Sequence, residues 1–196
     1  MGQAKIKRKF AEKYLREIIA RNTAPLSEFE QELAIEVGEL EFEPFYAPNS
    51  ATLKADGLIE KECHHNCQKY VTQFADCQIV IGWMWVSDDY ILHSVIRDGN
   101  TGRLIDITPR LSNVGKVRFA PDPAIQMTVS PGTKAATTRI SFERDGAPFY
   151  IEIVRRNQEA IHKQAAEIER ALANGVHPYA ALPGLDLLCE HATARL

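Results

Sequence analysis

Three residues in the middle of the chain have the types and the order that nucleophilic acyl chemistry needs: Cys63, His93 and Asp106. A cysteine attacks a carbonyl as its thiolate, and a free thiol, with a pKa of about 8.5, is mostly protonated at neutral pH. Two devices favour the anion. One is a helix N-terminus, whose partial positive charge faces the sulfur; the other is a neighbouring imidazole that accepts the proton. A carboxylate on the far side of that imidazole fixes its tautomer and stabilises the imidazolium.

Cys63 stands at the start of a stretch, residues 62–74, in which Cys63, Cys67, Val71 and Phe74 fall on one helical face. The apolar face predicts a buried helix with Cys63 at its exposed end. His93 and Asp106 depend on a hairpin. Residues 90–97 and 103–107 read as strands around Asp98-Gly99-Asn100-Thr101-Gly102, a strong turn signal. With the turn at 98–101, Arg97 pairs with Gly102, and counting back sets His93 directly opposite Asp106. Opposed residues share a face, with Cβ atoms about 4.5–5.5 Å apart. A turn one residue longer would set His93 opposite Ile107 and send the carboxylate to the other face. An aspartate among Leu104, Ile105 and Ile107 is costly to bury unpaired. Its alternative partner is the backbone near Thr108-Pro109, and a hydrogen-bonded core histidine is the plain alternative for His93.

The same region admits a metal. Cys63-His64-His65-Asn66-Cys67 carries four soft ligands in five residues, and zinc takes Cys and His in tetrahedral sets. Cys63 and Cys67 could share an ion completed by Cys77 or His93, giving a zinc-stabilised structural domain. Against this, paired CxxC knuckles are missing, and the cysteine face runs on into Val71 and Phe74, which suggests core.

Several elements must position these groups. Residues 44–58 hold Pro44, Pro48, Asn49, Ser50 and Gly57, a polar loop pattern just ahead of Cys63. Residues 79–86 (IVIGWMWV) are apolar on both faces and predict a central strand. Trp83 and Trp85 share one face of it; core packing is expected there, with substrate contact as the alternative. Residues 4–21 form a basic amphipathic helix pattern with Ile6, Phe10, Tyr14 and Ile18 on one stripe. Ser27 and Glu30 are spaced as a capping box that opens an acidic helix to Val37. Opposite charges suit an antiparallel pair; a basic arm for nucleic acid or a partner is the rival.

Beyond Pro109, Arg110 is expected to face solvent. Strands are expected over 116–120, 125–129, 138–142 and 149–153. A helix is expected over 154–174, with Ile161, Ala165, Ile168 and Leu172 on one stripe and Gly175 as its stop. The tail, with Pro183 and Gly184, reads as a short docked helix or loop. The sum is an α+β protein, an antiparallel sheet packed with helices. It is expected to be one domain overall, a helical region over 1–40 packed on a core over 41–196.

Cysteine opening a buried helix, then histidine, then aspartate on adjacent antiparallel strands resembles the transglutaminase-like branch of the papain-like cysteine enzymes. That group includes transglutaminases, bacterial cysteine peptidases and arylamine N-acetyltransferases. The resemblance covers residues 62–109, about a quarter of the chain. It implies a papain-like core with Cys63 as nucleophile, His93 as general base and acid, and Asp106 as its orienting group. The oxyanion donors it implies are the Cys63 backbone N–H and an upstream group, for which Tyr46 and Asn49 are the polar candidates. His64 and Trp83 are the further candidates for lining the cleft. The chain departs from the family where an aromatic setting surrounds the nucleophile, having Glu62 before it and His64-His65 after it. The substrates implied are a peptide, a protein side-chain amide or a small acyl compound, handled without a cofactor. A binding module on the same fold, with the thiol incidental, is the non-enzymatic alternative.

Bulk properties bound these readings. The 196 residues are 45% hydrophobic and 25% charged, the balance of a globular protein with its own core. A net charge of −3 points away from nucleic acid as the main partner. No apolar run reaches the roughly 18 residues of a membrane span. MGQAKIKRKF lacks the apolar region of a secretory signal, and Ile6 stands where a myristoylation motif wants Ser or Thr. Four cysteines, Cys63, Cys67, Cys77 and Cys189, are too few for a disulfide scaffold and suit a reduced, cytoplasmic protein.

Overall fold

The computed structural model describes residues 3–86, 89–110, 117–132 and 138–182, with side chains from residue 7 onward. It is a mixture of helices and antiparallel strands, the α+β class expected. Two compact units divide the chain, one from residues 28–156 and the other from the described parts of 1–27 and 157–196.

The smaller unit is helical. The basic helix α1 (Gln3–Thr23) buries Ala11 and Leu15 against Ile168 and Leu172 of α5 (Gln158–Ala173) and Ala181 of the short α6 (Pro178–Ala181). The buried line of α1 runs one position on from the stripe read from the sequence: Ala11 and Leu15 are buried, Tyr14 and Ile18 are partly so and Phe10 is exposed. In α5 the expected stripe supplies Ile168 and Leu172, and Gly175 ends the helix in the left-handed region at φ +79°. Helix α2 (Glu28–Gly38) belongs to the other unit, where Leu33 and Val37 enter its core. The expected boundary at residue 40 thus differs from the observed division: α1 packs with the C-terminal helices and α2 with the sheet.

The larger unit is built on a sheet in the order β1 (Glu43–Pro44), β5 (Arg118–Pro121), β2 (Cys77–Val86), β3 (Asp89–Asp98), β4 (Leu104–Ile105), with β9 (Ile153–Arg155) also on β3. A smaller sheet holds β6 (Ile125–Pro131), β7 (Thr138–Arg144) and β8 (Ala147–Phe149). Gly82 of β2 is required by close approach, since a Cβ there would meet the Ala120 carbonyl oxygen of β5 at 2.0 Å. The segment 149–153 is not the single strand expected: its ends belong to β8 and β9, and Val154 lies in β9, ahead of α5.

Residues alternate across β3 and divide the core. Ile96 faces Cys67, Leu53, Leu58 and Ile107, beneath α3 (Ser50–Ala55) and α4 (Cys63–Val71). Val95, of opposite parity, packs with Leu104, Phe119 and Phe45. Residues 44–58 are more ordered than their polar composition suggests. They contribute β1 and α3, whose N-cap is Asn49, accepting the Ala51 N–H at 2.8 Å. Phe74 lies beyond the end of α4 and is exposed; it stacks on Tyr70 instead of joining the core. No helix among the described residues is long and apolar enough to cross a membrane. The expected tail at Pro183-Gly184, and Cys189, lie outside the described residues.

Candidate functional site

Cys63 is the first residue of α4, as the sequence predicts, but it is buried and not at an exposed helix end. The N-cap residue Glu62 makes no side-chain cap, so the first amides of the helix remain as donors beside the thiol. The entry to the helix is fixed by Asn66. Its Oδ1 accepts the Ile59 N–H at 3.0 Å and its Nδ2 donates to the Ile59 carbonyl at 2.7 Å. Asn66 is buried, and its polarity on the inner side of α4 was the only sequence signal for this role.

The hairpin that carries His93 and Asp106 differs from expectation in register. Asp98 and Arg103 close it, with the Asp98 N–H on the Arg103 carbonyl at 3.0 Å. The Asp98 carboxylate accepts the amides of Asn100 and Thr101, which stabilises a wider loop over residues 99–102. Gly102 takes φ +70°, which favours glycine. Arg97 therefore pairs with Leu104, not with Gly102. The shift is two residues, and a shift of two keeps every side chain on its face. Asp106 becomes a diagonal neighbour of His93 instead of an opposed one, still within reach of a long side chain.

The contact is made. His93 Nε2 lies 3.1 Å from Asp106 Oδ1, both residues buried. The same Oδ1 accepts the Thr108 N–H at 2.9 Å, so both partners foreseen for Asp106 are engaged at once. Oδ2 accepts from Arg110 through Nε at 3.1 Å and Nη2 at 2.5 Å. Arg110 therefore does not face solvent, as the sequence suggested. Its guanidinium lies over the Phe45 ring, 5.0 Å from the centroid, and an aspartate four residues earlier draws it inward. The Asp106 backbone N–H is bound by the Tyr46 carbonyl at 2.8 Å, which locks the residue just past the end of β4.

The imidazoles of His93 and His64 both lie beside the Cys63 thiol and act on its ionisation. Because Nε2 of His93 is used by Asp106, Nδ1 is the nitrogen left for sulfur. Position along β3 makes this possible. Its outer edge is covered by β9 at residues 89–91 and by β4 at 96–97. His93 and Ser94 fall between, where neither strand pairs with β3. The helix end carrying Cys63 meets the imidazole at that opening in the sheet edge.

The charges follow from these contacts. Burial of Cys63 works to raise its pKa, but the His93 charge and the hydrogen bonds from His64 and His93 outweigh it and hold the thiol at about 5. Burial of His93 works to lower its pKa, and is overcome by the charges of Asp106 and Cys63, which bring it to about 10. Asp106 is held at about 2: burial opposes ionisation, and His93 and Arg110 more than compensate. Near neutral pH the arrangement is therefore a thiolate–imidazolium pair backed by a carboxylate and a guanidinium.

The other candidates divide. His64 is at the site, its Nδ1 2.7 Å from Ser94 Oγ and its ring edge-on to Phe142 at 4.7 Å. Trp83 is not available to a substrate: it is fully buried, its indole N–H bound to Asp122 Oδ2 at 2.9 Å and its ring against Phe149. Its neighbours are Leu33 and Val37 of α2. Asn49 spends its side-chain oxygen on capping α3. Tyr46 is exposed, with its ring beneath Arg103. The zinc set does not assemble, since among the described residues no three His, Cys, Asp or Glu are grouped to hold a metal ion. Cys67 sits fully buried in the apolar cluster under α4, and Cys77 opens β2 opposite Asp98. Sequence reasoning missed Arg110 and Ser94. Ser94 had a signal, a hydroxyl whose neighbours on its own face of the strand, Leu92 and Ile96, are apolar.

No known family model, curated protein or solved structure matches this chain.

Proposed function

We propose that the chain is a cysteine-dependent acyl enzyme, a hydrolase, deamidase or acyltransferase, of the kind the transglutaminase-like resemblance implies. The observation that carries this reading is the buried hydrogen-bonded series from His93 through Asp106 to Arg110, set beside a thiol whose pKa His93 lowers. A histidine buried only for packing has no need of a thiol beside it and a doubly anchored carboxylate on its Nε2.

In the mechanism, the Cys63 thiolate attacks the carbonyl carbon of an amide, ester or thioester, and the carbonyl π pair moves to oxygen. The amides at the start of α4 donate to that oxyanion. Collapse of the tetrahedral intermediate breaks the bond to the leaving group, which takes the proton from His93 and departs. Neutral His93 then draws a proton from water or an amine, which attacks the thioester and releases Cys63 as thiolate. Asp106 holds the imidazole through both transfers, and Arg110 holds Asp106. The substrate class is a peptide, a side-chain amide or a small acyl compound. A reducing compartment such as the cytoplasm suits a nucleophile of this kind.

The test is alkylation with iodoacetamide across pH, with modified residues located by mass spectrometry. Cys63 is expected to react with a midpoint at about pH 5 and a plateau above it. Cys77, whose thiol pKa is raised by burial and by Asp98, is expected to react only in alkaline solution. If Cys63 follows the alkaline profile as well, the activated-nucleophile reading is wrong.

A further inference from the structure

Two imidazoles, His93 and His64, act on the Cys63 thiol, and the mechanism above uses one. His93 is anchored by a carboxylate, the group that stabilises a positive ring. His64 is anchored by a hydroxyl, Ser94 Oγ at 2.7 Å, and braced by the edge of Phe142. Ser94 is fully buried at the opening in the β3 edge, next to His93 in sequence but of opposite parity. The two rings thus approach one sulfur from two faces of one strand. An uncharged anchor fixes the orientation of His64 without supplying a counter-charge for a proton-carrying ring.

We propose that His64 is a catalytic residue, donating a side-chain hydrogen bond to the oxyanion formed when Cys63 attacks a carbonyl, with Ser94 as its positioning residue. The proposal rests on the acyl-enzyme reading. Its argument is one of distance and charge movement. Before attack, the negative charge is on sulfur, which His64 helps to stabilise. As the S–C bond forms, that charge passes to an oxygen two bonds from the sulfur. A donor within reach of the sulfur is within reach of that oxygen, and its bond strengthens as the charge arrives. No proton leaves His64 in the step; the leaving group is still protonated by His93. The histidine after the nucleophile, which departs from the family pattern, becomes the side-chain member of the oxyanion site beside the amides of α4. Neither Asn49 nor Tyr46 is needed for it.

Two reagents separate this role from a general effect on the thiol. p-Nitrophenyl acetate acylates through a tetrahedral oxyanion, whereas iodoacetamide alkylates by displacing iodide and forms none. With His64→Ala at pH 8, the p-nitrophenolate burst is expected to slow about 10²-fold, while alkylation of Cys63 stays within about 3-fold of the parent. His64→Gln, which keeps an N–H donor, is expected to recover part of the burst rate. Ser94→Ala is expected to lower it less than His64→Ala and with the same selectivity. An equal loss with both reagents, or an unchanged burst, overturns the proposal. A parent protein that alkylates with a low midpoint but gives no burst sinks the acyl reading itself, and this proposal with it.

Discussion

Cys63 and Cys67 lie one helical turn apart on the same face of α4, and both are buried. Their thiols are nevertheless driven in opposite directions. Burial acts on each to disfavour the anion. At Cys63 it is overcome by an imidazolium and two hydrogen bonds. At Cys67 it is reinforced by the negative charges of Cys63 and Asp106, and the pKa rises well above the ordinary thiol value. One turn of helix, about 5.4 Å, separates a thiol whose pKa is lowered from one whose pKa is raised. Burial does not activate a thiol; the partner does, and the partner reaches only the residue at the helix start.

Removing that partner is the largest perturbation available. His93→Ala should make Cys63 behave like Cys67, with its alkylation midpoint moving from about 5 to alkaline pH. At a free-thiol pKa of about 8.5 only a few per cent is thiolate at pH 7, and burial lowers that further. The more basic thiolate is intrinsically more nucleophilic, which returns part of the loss. Alkylation at pH 7 should fall at least about 10-fold. The acyl burst should fall about 10³-fold, because the proposed mechanism loses its general acid and base too. Iodoacetamide and p-nitrophenyl acetate rates measure both. A midpoint that stays low after His93→Ala would mean that His64 and the helix end are enough to activate the thiol.

What the sequence revealed of this contrast is uneven, and the reasons are physical. Cys63 as the first residue of α4 followed from helical periodicity, a local property. The face shared by His93 and Asp106 also followed, but through a register two residues from the actual one; only parity rescued it. The turn was misjudged because Asp98 uses its carboxylate to stabilise a wider loop, which composition does not distinguish from a tight one. Arg110 was assigned to solvent because charge predicts exposure, and nothing local showed that Asp106 and the Phe45 ring would hold it. Trp83 was the reverse case: an aromatic residue on a strand can line a cleft or a core, and only the distant Asp122 decides between them. The short α3 was hidden because Pro48, Asn49 and Ser50 signal a turn and a helix cap alike.

A smaller effect concerns stability, where the two members of the pair combine. His93 has a folded pKa above its unfolded value, so its contribution is complete below about pH 6.5 and is lost as pH rises toward 10. Cys63 has a folded pKa below its unfolded value, so its contribution is complete above about pH 8.5 and is lost as pH falls toward 5. Between about pH 6.5 and 8.5 the folded pair and the unfolded pair each hold one proton, on the imidazole and on the thiol respectively, and the slopes cancel. Urea unfolding of the parent minus that of the Cys63→Ser, His93→Gln double variant should therefore be flat across that window. It should decline by roughly 1.4 kcal/mol per pH unit on either side. A slope through neutral pH would show that the folded pair holds no proton or two there instead of one.

The smallest effect is expected at Cys67, and it is the more exacting test of the contrast. Cys67→Ala removes one sulfur from the cluster formed with Leu53, Leu58, Ile96 and Ile107. The transfer and cavity terms for one heavy atom give about 1 kcal/mol of lost stability, read from urea unfolding. The Cys67 thiol is uncharged wherever Cys63 has become thiolate, because one pKa is raised and the other lowered. Deleting it removes no charge from the site. The Cys63 midpoint should stay at about 5 and the acyl burst within about 2-fold of the parent. A midpoint that moved by a whole pH unit would mean that the two thiols share a proton or a ligand. The division of α4 into one reactive and one structural cysteine would then fail, although the two residues would still share a face.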